Sequence, residues 1–371
     1  MFITEKKQLK GYCSAYRYWQ GIPGIEVTKK GRVFACFYSG GMQEDPDNYC
    51  MLVVSNDGVN FSEPIAVAVP EKGRCYDPVV WIDPLGRLWF VWSYMSTEKD
   101  GVYAAICDDP DAPTIEWNEP KWLGKDVMMN KPTVLSTGEW IFPIAVWDRK
   151  VMRPAFREEY YSGEGEKEVG AFLYKTTDGG ESFVKYGKVD MPNRSFDEHM
   201  ILELSDGRLA TYVRTMYGLG VAYSNNRGKT WTEGEDSGLG GPCSRFHIRR
   251  LRSGRVLLVN HYGFTARDHL AAMLSEDDGK TWKYRLMLDE RASVSYPDAV
   301  EDEAGNIYIT YDRERGSFMK NVDEIYACAR EILYAKITEA DIMAGELVSE
   351  GSKLKQVISK LIPPTITPAK E

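Results

Sequence analysis

Six times along the chain, a turn ending in glycine is followed at once by an apolar, β-prone run. The six are Lys30-Gly31-Arg-Val-Phe-Ala-Cys-Phe-Tyr, Leu85-Gly86-Arg-Leu-Trp-Phe-Val-Trp-Ser, Thr137-Gly138-Glu-Trp-Ile-Phe-Pro-Ile, Asp206-Gly207-Arg-Leu-Ala-Thr-Tyr-Val, Ser253-Gly254-Arg-Val-Leu-Leu-Val-Asn and Ala304-Gly305-Asn-Ile-Tyr-Ile-Thr-Tyr. The turn glycines are separated by 55, 52, 69, 47 and 51 residues. A unit of that length holds about four short strands. Units of this kind, repeated around an axis so that neighbouring sheets cover one another, make a β-propeller. Six units fill the chain from roughly residue 15 to residue 337, with no Pro/Ser linker inside. The expectation is therefore an all-β, six-bladed propeller forming one domain over residues 1–349. Thr338 to Gly345 reads as a short capped helix. Residues 350–371, with Pro363, Pro364 and Pro368, read as a frayed or surface-docked C-terminal extension.

A second repeat interleaves with the first. Thr176-Thr-Asp178-Gly-Gly180-Glu-Ser-Phe183, Ser224-Asn-Asn226-Arg-Gly228-Lys-Thr-Trp231 and Ser275-Glu-Asp277-Asp-Gly279-Lys-Thr-Trp282 share one pattern, and Ser55-Asn-Asp57-Gly58-Val-Asn-Phe61 is a version one residue shorter. Asp or Asn bonds its own backbone, Gly takes positive φ, and the aromatic ring packs beneath. The pattern resembles the Asp box. That resemblance implies rim turns of structural purpose, so these acidic residues are not read as catalytic.

Composition narrows the function. A net charge of -9 disfavours nucleic acid, whose phosphates would be repelled. No apolar run approaches the length of a membrane span, and no signal-peptide core opens the sequence. The seven cysteines form no C-x-x-C pair and read as free thiols in a reducing cytoplasm, although a chain whose leader had been removed would look the same. The four histidines show no metal-ligand spacing. No Gly-rich phosphate loop and no G-x-S-x-G are present, so neither metal nor organic cofactor is expected.

The turn glycines also give a frame for finding a site. Nine residues before them stand Ile22, Asp77, Met129, Glu198, Arg245 and Tyr296; seven residues after them stand Tyr38, Ser93, Ala145, Arg214, His261 and Asp312. Equivalent strand ends of a propeller converge on one mouth of the channel, and most of these residues are polar in otherwise apolar strands. A pocket fits this ring better than a solvated mouth of mutual ion pairs. In the fourth unit the Ser205–Arg208 turn brings Glu198 and Arg214 to one end of a hairpin, as an ion pair or as two walls of a site. Arg74 with Asp77, and Arg245 with His247, begin the second and fifth units as candidate substrate contacts, the first pair alternatively as a local salt bridge. His269 is a further candidate, and for both His247 and His269 an ordinary hydrogen-bonded histidine is the plain alternative.

Six blades, Asp boxes and this ring resemble the sialidase (neuraminidase) superfamily. Glu198-His-Met-Ile-Leu-Glu203-Leu-Ser-Asp-Gly207 is similar to the sialidase segment whose first Glu assists the nucleophile. Val294-Ser-Tyr296-Pro-Asp298 resembles the segment carrying the tyrosine nucleophile, and Arg214 and Arg267 resemble two arginines of the carboxylate-binding triad. The chain departs from the pattern in its first unit. Gly21-Ile22-Pro23 stands where sialidases have Arg-Ile-Pro, leaving Arg17, Arg74 or Arg245 to supply any replacement. The loop Gly40 to Tyr49 replaces the segment that holds the acid/base aspartate, and spacing does not choose among Glu44, Asp45 and Asp47.

The resemblance implies a retaining exo-glycoside hydrolase acting on a terminal, acidic sugar of a glycan, with Tyr296 as nucleophile and Glu198 as its base. A tyrosine suits an anomeric carbon that bears a carboxylate, because an ionised Asp or Glu would be repelled. Charge-assisted bonds contribute roughly 1.5–3 kcal/mol. Loss of one arginine is then expected to weaken sialic acid recognition by about 10- to 100-fold or more, so that the natural substrate is a different sugar, acidic or neutral. The alternatives are a polysaccharide lyase, in which Tyr or His takes the proton beside a uronate carboxylate, and a non-catalytic glycan-binding propeller. The sequence leaves the sugar, the linkage and the oligomeric state open.

Overall fold

The computed structural model describes residues 1–97, 99–148, 150, 168–263, 265–316 and 319–362. All six turn glycines have positive φ, from 81° at Gly305 to 96° at Gly138. Each donates its N–H to the carbonyl three residues back, as Gly31 does to Thr28 and Gly254 to Leu251. A side chain there would cost backbone energy, which explains why the same residue type recurs at every turn.

The turns connect the first two strands of six antiparallel sheets, each built from consecutive chain. The first strands are Trp19–Val27, Arg74–Ile82, Val127–Met128 continued by Thr133–Val134, Arg194–Glu203, His247–Arg250 and Val294–Glu301. They meet across the axis. The Ile25 N–H donates to Asp298 Oδ2 (2.9 Å), Lys131 Nζ to the Ala299 carbonyl (3.2 Å), and Asn130 Nδ2 to the Glu198 carbonyl (2.7 Å). Apolar side chains fill the space between neighbouring blades, as where Trp81, Trp89, Trp140 and Phe142 pack between the second and third. The Asp boxes form as expected. Ser275 Oγ bonds Asp277 and receives the Gly279 N–H, while Asp277 receives the Thr281 N–H.

The ring closes between the first and last blades. Gln20 Nε2 donates to the carbonyls of Arg330 (2.8 Å) and Ser359 (3.1 Å), and Arg330 Nη1 donates to the Tyr18 carbonyl (2.9 Å). The strand containing Ser359 corrects the expected boundary at residue 350. Lys353–Lys360 is the outermost strand of the last blade, paired with Glu331–Thr338. Its polar lysines and the prolines beyond it hide a strand of which Ile358 is buried. Any extension therefore begins after Lys360, and Pro363, Pro364 and Pro368 lie outside the described residues. The helix after the sixth blade's third strand spans Glu339–Ala344, with a Thr338/Asp341 capping box and Gly345 closing it at φ 78°. All seven cysteines are free thiols. Among the described residues no helix is long and apolar enough to cross a membrane.

Candidate active site

Four of the first strands bend at the expected mouth position. Ile22, Asp77, Glu198 and Tyr296 have φ of 58°, 49°, 44° and 57°, and the ladder register shifts at each. Left-handed backbone costs a non-glycine residue roughly 1–2 kcal/mol. A bulge of this kind breaks the alternation of the strand and re-aims its side chain. In three blades the re-aimed residue is Asp, Glu or Tyr, and strain of this kind clusters at functional sites.

The fourth and sixth blades bring their residues together. Arg214 Nη1 lies 2.5 Å from Glu198 Oε1 and 3.2 Å from Tyr296 Oη. The hairpin pair is thus an ion pair, and its guanidinium also reaches the Tyr296 phenol. Both residues are buried, and Glu198 Oε2 has no hydrogen-bond partner among the described residues. Burial works against the charge on Arg214, but Glu198 and Tyr296 outweigh it and hold the guanidinium protonated. Arg267 stacks on the Tyr296 ring at 5.0 Å and donates to the Cys243 carbonyl (3.3 Å).

The second blade supplies another charged wall. Arg74 lies 4.2 Å over the ring of Tyr76. Burial pushes the Asp77 carboxyl up to about 8; Arg74 opposes this, and Glu44 and Glu198 add to it. Tyr38 faces the same groups, its phenol held well above the ordinary value first by burial and then by Glu44 and Asp77. Of the loop carboxylates, Glu44 turns inward, with Oε1 3.4 Å from Arg315 Nη2. Asp47 is exposed with φ 68°, and the Asp45 backbone N–H is tied to Asn48 within the loop. Phe196, which lies 5.1 Å from the Arg214 guanidinium, and Trp147 add an aromatic wall.

Several candidates sit elsewhere. Arg17 is held by Gln20, the Met51 sulfur and Ser359 between the first and last blades, so it is part of the closure and not of the site. Arg245 points to the channel floor, bonded to Asn130 Oδ1 (2.8 Å) and the Pro23 carbonyl (3.1 Å). His247 lies there too, with Nδ1 3.3 Å from Asp298, and burial pulls it down to about 4, which keeps it neutral. Both serve a buried network in which Lys131 Nζ is 3.3 Å from Glu26 and 3.3 Å from Asp298. His269 pairs with Asp268 (3.1 Å) in the loop after Arg267.

Arg315 is the residue that sequence reasoning missed. It stands beyond the last counted strand end, in the charged run Asp312-Arg-Glu-Arg315, and that run was the available signal. Its guanidinium stacks on the Tyr296 ring at 4.4 Å and bonds Asp312 Oδ2 (3.2 Å).

A family described as the BNR repeat-like domain matches residues 31–309. The chain belongs to this family. No curated protein matches it by sequence. Among solved structures, a protein of unknown function from Dyadobacter fermentans is 18% identical with a TM-score of 0.62, covering 80% of this chain and 90% of that one. The Hadza microbial sialidase Hz136 is 18% identical with a TM-score of 0.62, and the match covers 79% of this chain but only 63% of the sialidase. A leech intramolecular trans-sialidase is 12% identical with a TM-score of 0.66, covering 90% of this chain and 70% of that one. At such identities the likeness is one of fold: this BNR-family chain is a six-bladed propeller of sialidase type.

Proposed function

We propose that the chain is an exo-acting glycoside hydrolase that releases a terminal acidic sugar with retention of configuration. The observation that carries this reading is the bridging guanidinium, with Arg214 Nη1 in reach of both Glu198 Oε1 (2.5 Å) and Tyr296 Oη (3.2 Å). A tyrosine oxygen beside a cation and a carboxylate is a nucleophile with its charge stabiliser and its base. Tyr296 attacks the anomeric carbon as the bond to the leaving oxygen breaks, and its proton passes to Glu198. Glu44 gives a proton to the leaving oxygen. Water then attacks the anomeric carbon and delivers a proton to Glu44, while the Tyr296 oxygen departs and regains its proton from Glu198. Two displacements at one carbon retain its configuration.

Arg214 and Arg267 hold an anionic group on the sugar by charge-assisted bonds. Asp77, protonated up to a pH of about 8, can donate a hydrogen bond to a sugar oxygen. The similar leech enzyme was solved with 2,7-anhydro-Neu5Ac, an acidic sugar, which supports the same substrate class here.

The test is a screen of aryl α- and β-glycosides of sialic, ketodeoxy and uronic acids, with products read by mass and by ultraviolet absorbance. Hydrolysis is expected, with Tyr296→Phe and Glu198→Gln each lowering turnover by about 10²- to 10⁴-fold while the folded state persists. An unsaturated, ultraviolet-absorbing product would mean a lyase, and binding with no product would mean a glycan-binding propeller.

A further inference from the structure

The space left open by Gly21 is already filled. A Cβ built on Gly21 would lie 2.7 Å from Arg315 Cδ, 3.4 Å from Arg315 Cβ and 3.2 Å from Asp312 Oδ2. Arg315 as placed excludes any side chain at position 21. Its guanidinium then lies over Tyr296 at 4.4 Å, where Arg267 also stacks at 5.0 Å and Arg214 bonds the phenol at 3.2 Å. The geometry points to Arg315 as a substrate-binding residue that fixes the specificity of this pocket for an anionic sugar, delivered by the last blade through the gap that Gly21 leaves in the first. The inference rests on the reading of the pocket as a sugar site and names its third cation.

Asp312 makes this delivery rigid. Its carboxylate is fully buried and receives the Ile22 N–H (2.8 Å), the Ser295 hydroxyl (2.7 Å) and Arg315 Nη1 (3.2 Å). One carboxylate thereby ties the bend of the first blade, the strand carrying Tyr296 and the root of the guanidinium together. Nη2 faces Glu44 at 3.4 Å, so the outer end of Arg315 looks toward the loop carboxylate rather than into the core. The side chain stays charged: burial opposes the proton, but Asp312, Tyr296 and Glu44 outweigh burial. A guanidinium of this kind is a planar group suited to a carboxylate, and this one is oriented by Asp312 on one side and Glu44 on the other. Arg17, Arg74 and Arg245 are not needed for that purpose.

Binding, not turnover, is the readout that separates this inference from the hydrolase reading. Calorimetry would compare sialic, ketodeoxy and uronic acids with their methyl esters. The intact chain is expected to bind at least one acid over its ester by about tenfold or more, the scale of one charge-assisted contact. Arg315→Gln should erase most of that preference, and Arg315→Lys should restore part of it, since lysine keeps the charge without the fork. Gly21→Ala, which leaves Arg315 in the chain but claims its space, should weaken the acid and spare the ester. Tyr296→Phe should stop turnover and leave the preference in place. An acid-to-ester ratio unchanged in both Arg315→Gln and Gly21→Ala would overturn the inference, as would failure of the intact chain to bind any of the acids. If the ratio responds as expected but no glycoside is cleaved, the hydrolase reading fails and the role of Arg315 stands.

Discussion

Asp77 shows how one residue can carry both strain and a displaced proton. Its backbone is left-handed at φ 49°, and burial pushes its carboxyl up to about 8 from an ordinary 3.8. Between those two pH values the folded chain holds a proton that the unfolded chain has released. Stability contributed at this position is therefore present at low pH and lost as pH rises across the window. Asp77→Asn removes the titration and leaves a group of the same shape. In thermal melts, wild type should lose stability relative to this variant as pH rises from about 4 to 8, with no further divergence above. Parallel curves over that range would contradict the burial argument. Three histidines act in the opposite sense. His199, His247 and His261 are each pulled down to about 4 by burial, so they favour the fold as pH rises toward 6.5. The difference between wild type and variant isolates Asp77 from them.

At the level of the element, the hairpin turn was the most legible feature, because only glycine accepts its backbone cheaply. The positions of Asp77, Glu198 and Tyr296 follow from the turn glycine alone, whereas the bends there do not. Arg315 escapes that spacing because it lies past the strand end, and Arg245, though at an equivalent position, reaches down the channel. A strand period says where a Cα stands, and a long side chain chooses its own partners. The two repeats also separate two costs of substitution. Gly207 has φ 83° and open space around a built Cβ, so Gly207→Ala should cost about 1–2 kcal/mol of backbone strain. Gly180 has φ 87°, and its Cβ would lie 2.6 Å from the ring of buried Trp89. Gly180→Ala should therefore cost clearly more than Gly207→Ala in denaturant unfolding. Equal losses would show that the Asp-box turn has room that the packing denies.

The whole molecule is a closed ring, and its less legible parts are those that only closure creates. Asp298 ties the last blade to Lys131 of the third, to His247 of the fifth and to the Ile25 N–H of the first. Lys131 and Arg245 hold its carboxylate ionised against burial. Nothing local in Ser-Tyr-Pro-Asp298 announces partners so far away in sequence. The strand Lys353–Lys360 is hidden in the sequence by its lysines, and its Ser359 carbonyl meets Gln20 only at the seam. The same closure sets Tyr296 of the last blade against Arg214 and Glu198 of the fourth, which is the basis of the proposed chemistry. The direct test is to trap the intermediate on a cleaved substrate, using the matching fluorosugar whose fluorine slows the second displacement, and to locate the added mass in a digest. A covalent Tyr296 intermediate predicts one sugar attached to Tyr296 and none in Tyr296→Phe. A sugar on a carboxylate, or turnover with no covalent intermediate at all, would contradict it.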